Sequence, residues 1–310
     1  MKSTVFFALL VSAGVLSAQL AEPPPAVRTG PAPEVDEFLT DVRAALPALG
    51  AVSYEWHDTR DFENGTGTAE FGVFEARAPF YFHKFKDGGA IALGFDYSLA
   101  DVQVDNEAFA WDGQLHGLFL PISYSRRTPG SDWFWLGQIV PGLRTDFESI
   151  DSDDFAFRTF GVAMRKFGDN LAIGFGAYFS YDVDGIFAVP GIGFTWKPSD
   201  DWLISLIPPQ LAASWTPNDQ WIISAIFRPR SFIADIDEGE DGPDIASVSY
   251  GRLGLSVRRQ LFPDPNIWVN LQAGYTLYSE VELQRDGRSL FDTDLDNGFF
   301  AGASLEVLGW

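Results

Sequence analysis

The sequence predicts an all-β protein: a transmembrane, antiparallel up-and-down β-barrel of fourteen strands, with twelve as the alternative and a short periplasmic helix ahead of it. Three observations carry this reading. From about Ala51 onward, apolar residues recur at every second position in runs longer than ten residues. Ordinary globular strands have five or six residues, whereas a tilted strand that crosses hydrocarbon needs ~9–11. Short polar turns alternate with longer acidic connections, the asymmetry of a barrel threaded into a membrane from one side. Trp gathers beside the short turns, where an amphipathic ring can sit between headgroup and hydrocarbon.

The ends and the composition set the frame. The chain has 310 residues, enough for one large barrel or two ordinary domains. Lys2 and the apolar run from Val5 to Leu16 form a secretory signal, with cleavage expected after Ala18. That run is shorter than the ~18 residues of a spanning helix, and no second one follows, so no transmembrane helix is expected in the mature chain. Residues 19–50 are a Pro-rich leader that closes in a short helix. Glu34 and Asp36 lie in its first turn, Val35, Phe38, Leu39, Val42 and Leu46 make one apolar stripe, and Pro47 and Gly50 end it. The stripe suits a membrane face or the barrel mouth; a leader with no task fits equally. Residues 51–310 are the barrel. With no cysteine, a lipid anchor on a thiol, disulfides and thiolate metal sites are excluded. A net charge of −22 argues against nucleic acid as a partner.

In chain order the fourteen segments are 51–58, 68–84, 90–103, 113–126, 132–146, 154–167, 170–181, 185–196, 202–207, 210–216, 221–234, 246–260, 266–282 and 298–309. Inner turns fall at Lys86–Gly89, Arg127–Asp132 and Gly168–Asn170, at two Trp-flanked turns, and at Pro263–Asn266. Outer connections are 58–67, 101–111, 147–154, 235–244 and 283–297, with tighter ones near 183 and 208. The ninth and tenth segments are too short to span and meet at Pro208 and Pro209. They are either a stunted hairpin in the wall or an inner-side excursion that leaves twelve strands.

The two Trp-flanked turns are one motif written twice. Trp196-Lys197-Pro198-Ser199-Asp200-Asp201-Trp202 is echoed by Trp215-Thr216-Pro217-Asn218-Asp219-Gln220-Trp221. Pro presets φ, and Asp and Asn fold onto the local backbone. Trp133, Trp196, Trp202, Trp215, Trp221, Trp268 and Trp310 all flank inner turns or the inner terminus and are assigned to an interface girdle. In the last segment, Phe299, Ala301, Ala303, Leu305 and Val307 form the better apolar face.

The stretch from about Gly113 to Phe232 resembles an uncharacterised family of predicted Gram-negative outer-membrane barrels, known as a domain of unknown function. The matching text is Pro121-Ile122-Ser123-Tyr124-Ser125-Arg126, the Trp-bearing strand from Asp132, and the repeated Trp turn that begins at Phe194. The resemblance covers a little over a third of the chain. It implies an outer-membrane barrel and carries no activity with it.

Chemistry is sparse. His57 and His83 face inward by parity, near the outer and inner rims respectively, and His116 falls on the apolar parity. No nucleophile, base and orienter share a register, so no catalytic residue and no cofactor are assigned. The acidic run Asp235 to Asp244 offers carboxylates to a divalent cation, but in no recognised loop spacing; a solvated loop is the simpler reading. The lumen candidates are Arg77, Asp96, Arg144, Arg165, Arg228, Arg230 and Arg252, with Glu75 also inward and Arg77 set diagonally to Asp96. Charges inside a barrel must be paired or wet. A passive pore or small-solute channel with an Arg-lined lumen is therefore expected in the outer membrane, delivered by the barrel-insertion machinery. A closed interaction barrel that uses its acidic loops to bind a partner or divalent cations is the second reading, and an outer-membrane enzyme the third.

Overall fold

The computed structural model describes residues 50–308, apart from 64, 107–109, 128–129, 149, 184, 237–242, 265 and 286–287. The signal peptide, the leader up to residue 49 with its short helix, and Trp310 lie outside the described residues. The strands are β1 (Gly50–His57), β2 (Arg60–Asp61), β3 (Gly67–Lys84), β4 (Gly89–Asn106), β5 (Ala110–Phe119), β6 (Ile122–Arg127), β7 (Trp133–Thr145), β8 (Phe155–Phe167) and β9 (Leu171–Asp182). They continue as β10 (Gly185–Ser199), β11 (Trp202–Ile207), β12 (Gln210–Asn218), β13 (Trp221–Asp235), β14 (Ile245–Pro263), β15 (Asn266–Arg285), β16 (Arg288–Asp294) and β17 (Gly298–Val307).

These seventeen segments make fourteen wall strands, because three strands are interrupted. β1 and β2 both lie on β3, β5 and β6 both lie between β4 and β7 or on one of them, and β16 and β17 both lie on β15. Sequence neighbours pair antiparallel around the wall, and β1 pairs with β17 from Gly50 against Val307 to His57 against Phe300, which closes the ring. β11 and β12 are the stunted hairpin, in the wall, so the count is fourteen and not twelve. Two outer connections are shorter than the sequence suggested: β4 runs on to Asn106, and β15 to Arg285 with β16 beside it. There Val102, Val104, Val281 and Leu283 are buried inside the ring while Asp101, Asp105 and Glu280 face out. The acidic residues on the outer face disguised an alternation that never stopped.

Polarity is inverted across the spanning part. Ile173, Phe175, Leu255, Leu271 and Tyr275 stand exposed on the outside, and so do Phe299, Leu305 and Val307. Ser214, Ser224, Ser256, Asn270, Ser304 and Glu306 are buried inside. Hydrocarbon is the solvent such a surface requires. At the outer end the polarity reverts. Phe71, Val102, Leu115, Val248, Tyr250 and Leu283 belong to one apolar cluster that fills the ring.

A cross-ring pairing shapes that outer end. Asp235 at the tip of β13 pairs in parallel with Thr145 at the tip of β7, passing over the strands between them. Below, the hairpin of β11 and β12 rises only to Pro208 and Pro209. It engages Phe194–Ser199 of β10 on one side and Trp221–Phe227 of β13 on the other. Above that tip, Gly185–Gly193 pair with β9 and Arg228–Ala234 pair with β14, and among the described residues no ladder joins the two facing edges. Pro190 and Pro229 sit on those edges and have no N–H to offer a neighbouring strand. The wall therefore has a gap, floored by the two prolines of the hairpin tip.

Candidate functional site

The lumen is built on strand parity. In β1 the odd residues point inward, which buries Glu55 and His57. Glu55 is the hub. Its carboxylate forms an ion pair with Arg252 and accepts hydrogen bonds from Tyr250 Oη at 3.2 Å and Gln272 Nε2 at 3.0 Å. His57 Nε2 lies 2.9 Å from the same carboxylate. The His57 ring, 0% exposed, stacks on Phe71 with centroids 4.0 Å apart and faces Phe300 at 5.8 Å. Across the lumen, Arg230 grips both oxygens of Glu75 at 2.6 and 2.7 Å. Arg77 and Asp96 stand directly opposite each other in the β3–β4 ladder and form a two-pronged pair at 2.9 and 3.1 Å. Arg144 meets Asp182 at 2.9 Å. Towards the inner end, Arg258 meets Glu306 at 3.1 Å, and Glu306 also accepts from Asn270 and Ser304.

Of the lumen candidates, Arg77, Asp96, Arg144, Arg228, Arg230 and Arg252 all point inward, and Arg228 shares with Arg230 the field of Glu75. Arg165 does not. It pairs with Ile173 and Trp133 on the outer face, with its guanidinium over the rings of Trp133 and Phe167. Its strand alternates weakly, with Lys166 next to it, so parity counted along β8 alone points the wrong way; the neighbouring rows of β7 and β9 fix it. Trp133, Trp196, Trp202, Trp215 and Trp221 belong to the outer-facing rows at the inner end, with Trp202 and Trp215 stacked at 6.4 Å. Trp268 departs from that girdle. It is 5% exposed, packs inside the ring with Ile222 and Leu308, and donates its indole N–H to Asn266 at 2.7 Å.

Sequence reasoning passed over Glu55, Tyr250, Asp182, Arg258 and Glu306. The alternation of β1 and β17 held the signal, since a Glu in an inward row of a barrel needs a cation nearby. His83 is exposed beside Phe85, while His116 lies 2.8 Å from Tyr97 Oη. The three histidines therefore occupy three separate places.

Chemically the lumen holds five such pairs, together with inward guanidiniums outside them: Arg60 over Phe71, Arg158 over Phe119, and Arg228 beside Arg230. Each described carboxylate named above holds a guanidinium, and the one buried imidazole is walled in by aromatic rings. Exposed inward side chains lie elsewhere, at the gap in the wall. Phe187 and Val189 belong to the inward row of β10 that buries Thr195, yet they are 57% and 41% exposed. Phe187 meets the inward Tyr178 at 6.3 Å.

A closed fourteen-strand ring, greasy outside and ion-paired inside, defines a transmembrane β-barrel. By sequence the chain belongs to the family described as Domain of unknown function (DUF6268), which matches residues 50–307. No curated protein matches the sequence. Among solved structures, the deltaS2 mutant of the TodX monoaromatic hydrocarbon channel is similar at 9% identity and a TM-score of 0.44, over 86% of this chain and 91% of that one. An outer membrane channel from Pseudomonas putida F1 matches at 9% identity and a TM-score of 0.44, over 85% and 97%. LpxR from Salmonella typhimurium matches at 8% identity and a TM-score of 0.34, over 83% and 99%.

Proposed function

We propose that this protein is a passive outer-membrane channel that admits small apolar or amphipathic solutes through the gap in its wall. The observation that carries the reading is the pair of unladdered edges above the β11–β12 tip, with Phe187 and Val189 exposed on the inward row behind them. Arg77, Arg144, Arg230 and Arg252 are wall ties in this reading, because each holds a carboxylate. In this reading the apolar cluster at the outer end blocks the axial route. In this reading the barrel is not an enzyme. It reaches the outer membrane through its signal peptide and the insertion machinery. Small solutes are its transported partners, and it needs no cofactor.

The test is uptake of a small aromatic solute into vesicles that contain the refolded barrel, beside planar-bilayer current from the same preparation. Expected are uptake faster than in protein-free vesicles and little ionic current. Gly191→Trp places an indole on the inward row at the gap, where Pro208 is the nearest neighbour of the new side chain; it should slow uptake several-fold. Uptake equal to protein-free vesicles would overturn the channel and leave the closed interaction barrel.

A further inference from the structure

The tip of β13 and the connection between β7 and β8 bring carboxylates together. Asp151, Asp154 and Asp235 each bring a carboxylate oxygen to within 4.8 Å of the others. Asp153 and Asp244 act on Asp235 from close by, and they too are negative. Like charges gathered at a strand tip repel, and a bound cation would relieve that repulsion. Asp154 marks the place. Its side chain is 2% exposed, and one of its oxygens, Oδ1, is buried with no hydrogen-bond partner among the described residues. The other oxygen, Oδ2, accepts the backbone N–H of Asp151 at 2.8 Å, which orients the carboxylate in the cluster. A buried anionic oxygen left bare is costly unless a cation meets it.

We propose that Asp151, Asp154 and Asp235 bind one hard divalent cation of the Ca²⁺ class. Oxygen-only ligands, three negative charges and an irregular loop suit Ca²⁺ better than zinc, which prefers imidazole and thiolate in tetrahedral sites. Three carboxylates leave room for water or backbone carbonyls in a shell of six to eight. The ion sits at the parallel pairing of Asp235 with Thr145 and ties the loop to the strand tip there. It thereby fastens the outer end of the ring.

The test uses the full mature chain refolded from denaturant into detergent, free of lipopolysaccharide and its bound cations. Tb³⁺ luminescence sensitised by the protein's aromatic rings, displaced by Ca²⁺, reads binding directly. Wild type should bind with saturation. Asp154→Asn and Asp235→Asn should each weaken Ca²⁺ at least about tenfold, as expected when a ligand charge is removed. Asp264→Asn, in an inner turn at the opposite end, should bind as wild type does. Each variant is first checked for the heat-modifiable gel migration of a folded barrel. No saturable binding by folded wild type, or equal binding by folded Asp154→Asn and Asp235→Asn, would overturn the site. Solute uptake is a separate readout, so failure here leaves the channel reading standing.

Discussion

Glu55→Gln isolates the tie at the centre of the lumen. The substitution keeps the shape of the side chain and its capacity to accept from Tyr250, and it removes only the charge. Arg252 is then left with its guanidinium buried opposite a neutral amide, on strands where both partners are under 10% exposed. Removing one member of a buried ion pair costs ~3–5 kcal/mol, most of it the uncompensated charge. At about 1.4 kcal/mol per tenfold, the folded-to-unfolded ratio falls by roughly two to three and a half orders of magnitude. Arg252→Met should cost a similar amount, since Glu55 keeps Tyr250 and Gln272 but loses its counter-charge. The double variant should return to within about 1–2 kcal/mol of wild type, because a buried pair replaced as a whole is close to neutral. Denaturant unfolding of the refolded barrel, followed by Trp fluorescence, measures all three. A Glu55→Gln protein within 1 kcal/mol of wild type, or a double variant worse than either single, would refute the argument that this pair is buried and coupled.

Three further outcomes follow from which way a side chain points. Trp268→Ala empties a packed interior site and should cost ~3–5 kcal/mol in the same unfolding assay, whereas outward Trp202→Ala should cost clearly less. Arg165→Glu should leave the ion preference of any residual current unchanged, because its guanidinium lies over Trp133 on the outer wall; Arg77→Glu, beside Asp96 in the lumen, should shift it. Gly274→Ala should destabilise by ~1–3 kcal/mol, since the new methyl would run into the backbone of Leu253 and Gly254 on β14. Gly161→Ala meets open space and should stay within about 0.5 kcal/mol of wild type.

The barrel was legible in the sequence because its signal is physical and long. A strand in hydrocarbon must alternate, and Leu171 to Tyr181 does so over its full length. The short ninth and tenth segments were legible too, since Pro208 and Pro209 cannot continue a ladder. What they do to the wall was not, because a gap is a relation between Gly185–Gly193 and Arg228–Ala234, forty residues apart. The lumen arginines were found by parity, and Arg165 was misplaced where parity was faint. Their partners were harder. Asp96 was readable from the adjacent hairpin, but Arg230 with Glu75 joins residues 155 apart in sequence. The cation cluster has the same character: Asp151 and Asp154 sit in one connection, and Asp235 belongs to another strand's tip.

The stunted hairpin explains the rest of the outer end. At the inner end fourteen strands circle the lumen, but β11 and β12 stop partway, and the edges of β10 and β13 are then left to find partners. Pro190 and Pro229 deny those edges the N–H groups a direct ladder needs. β13 instead leans across to β7, and the ring that closes above runs β13, β14, β15, β16, β2, β3, β4, β5, β7. A ring near that size is one that side chains can fill without an aqueous core, which is why Phe71, Leu115, Tyr250 and Leu283 pack there as in a soluble protein. β8, β9 and the upper part of β10 are left as a three-stranded flap beside the smaller ring. The gap is thus the seam where a wide ring steps down to a narrow one, and the carboxylates of Asp151, Asp154 and Asp235 stand at the joint that fixes the step.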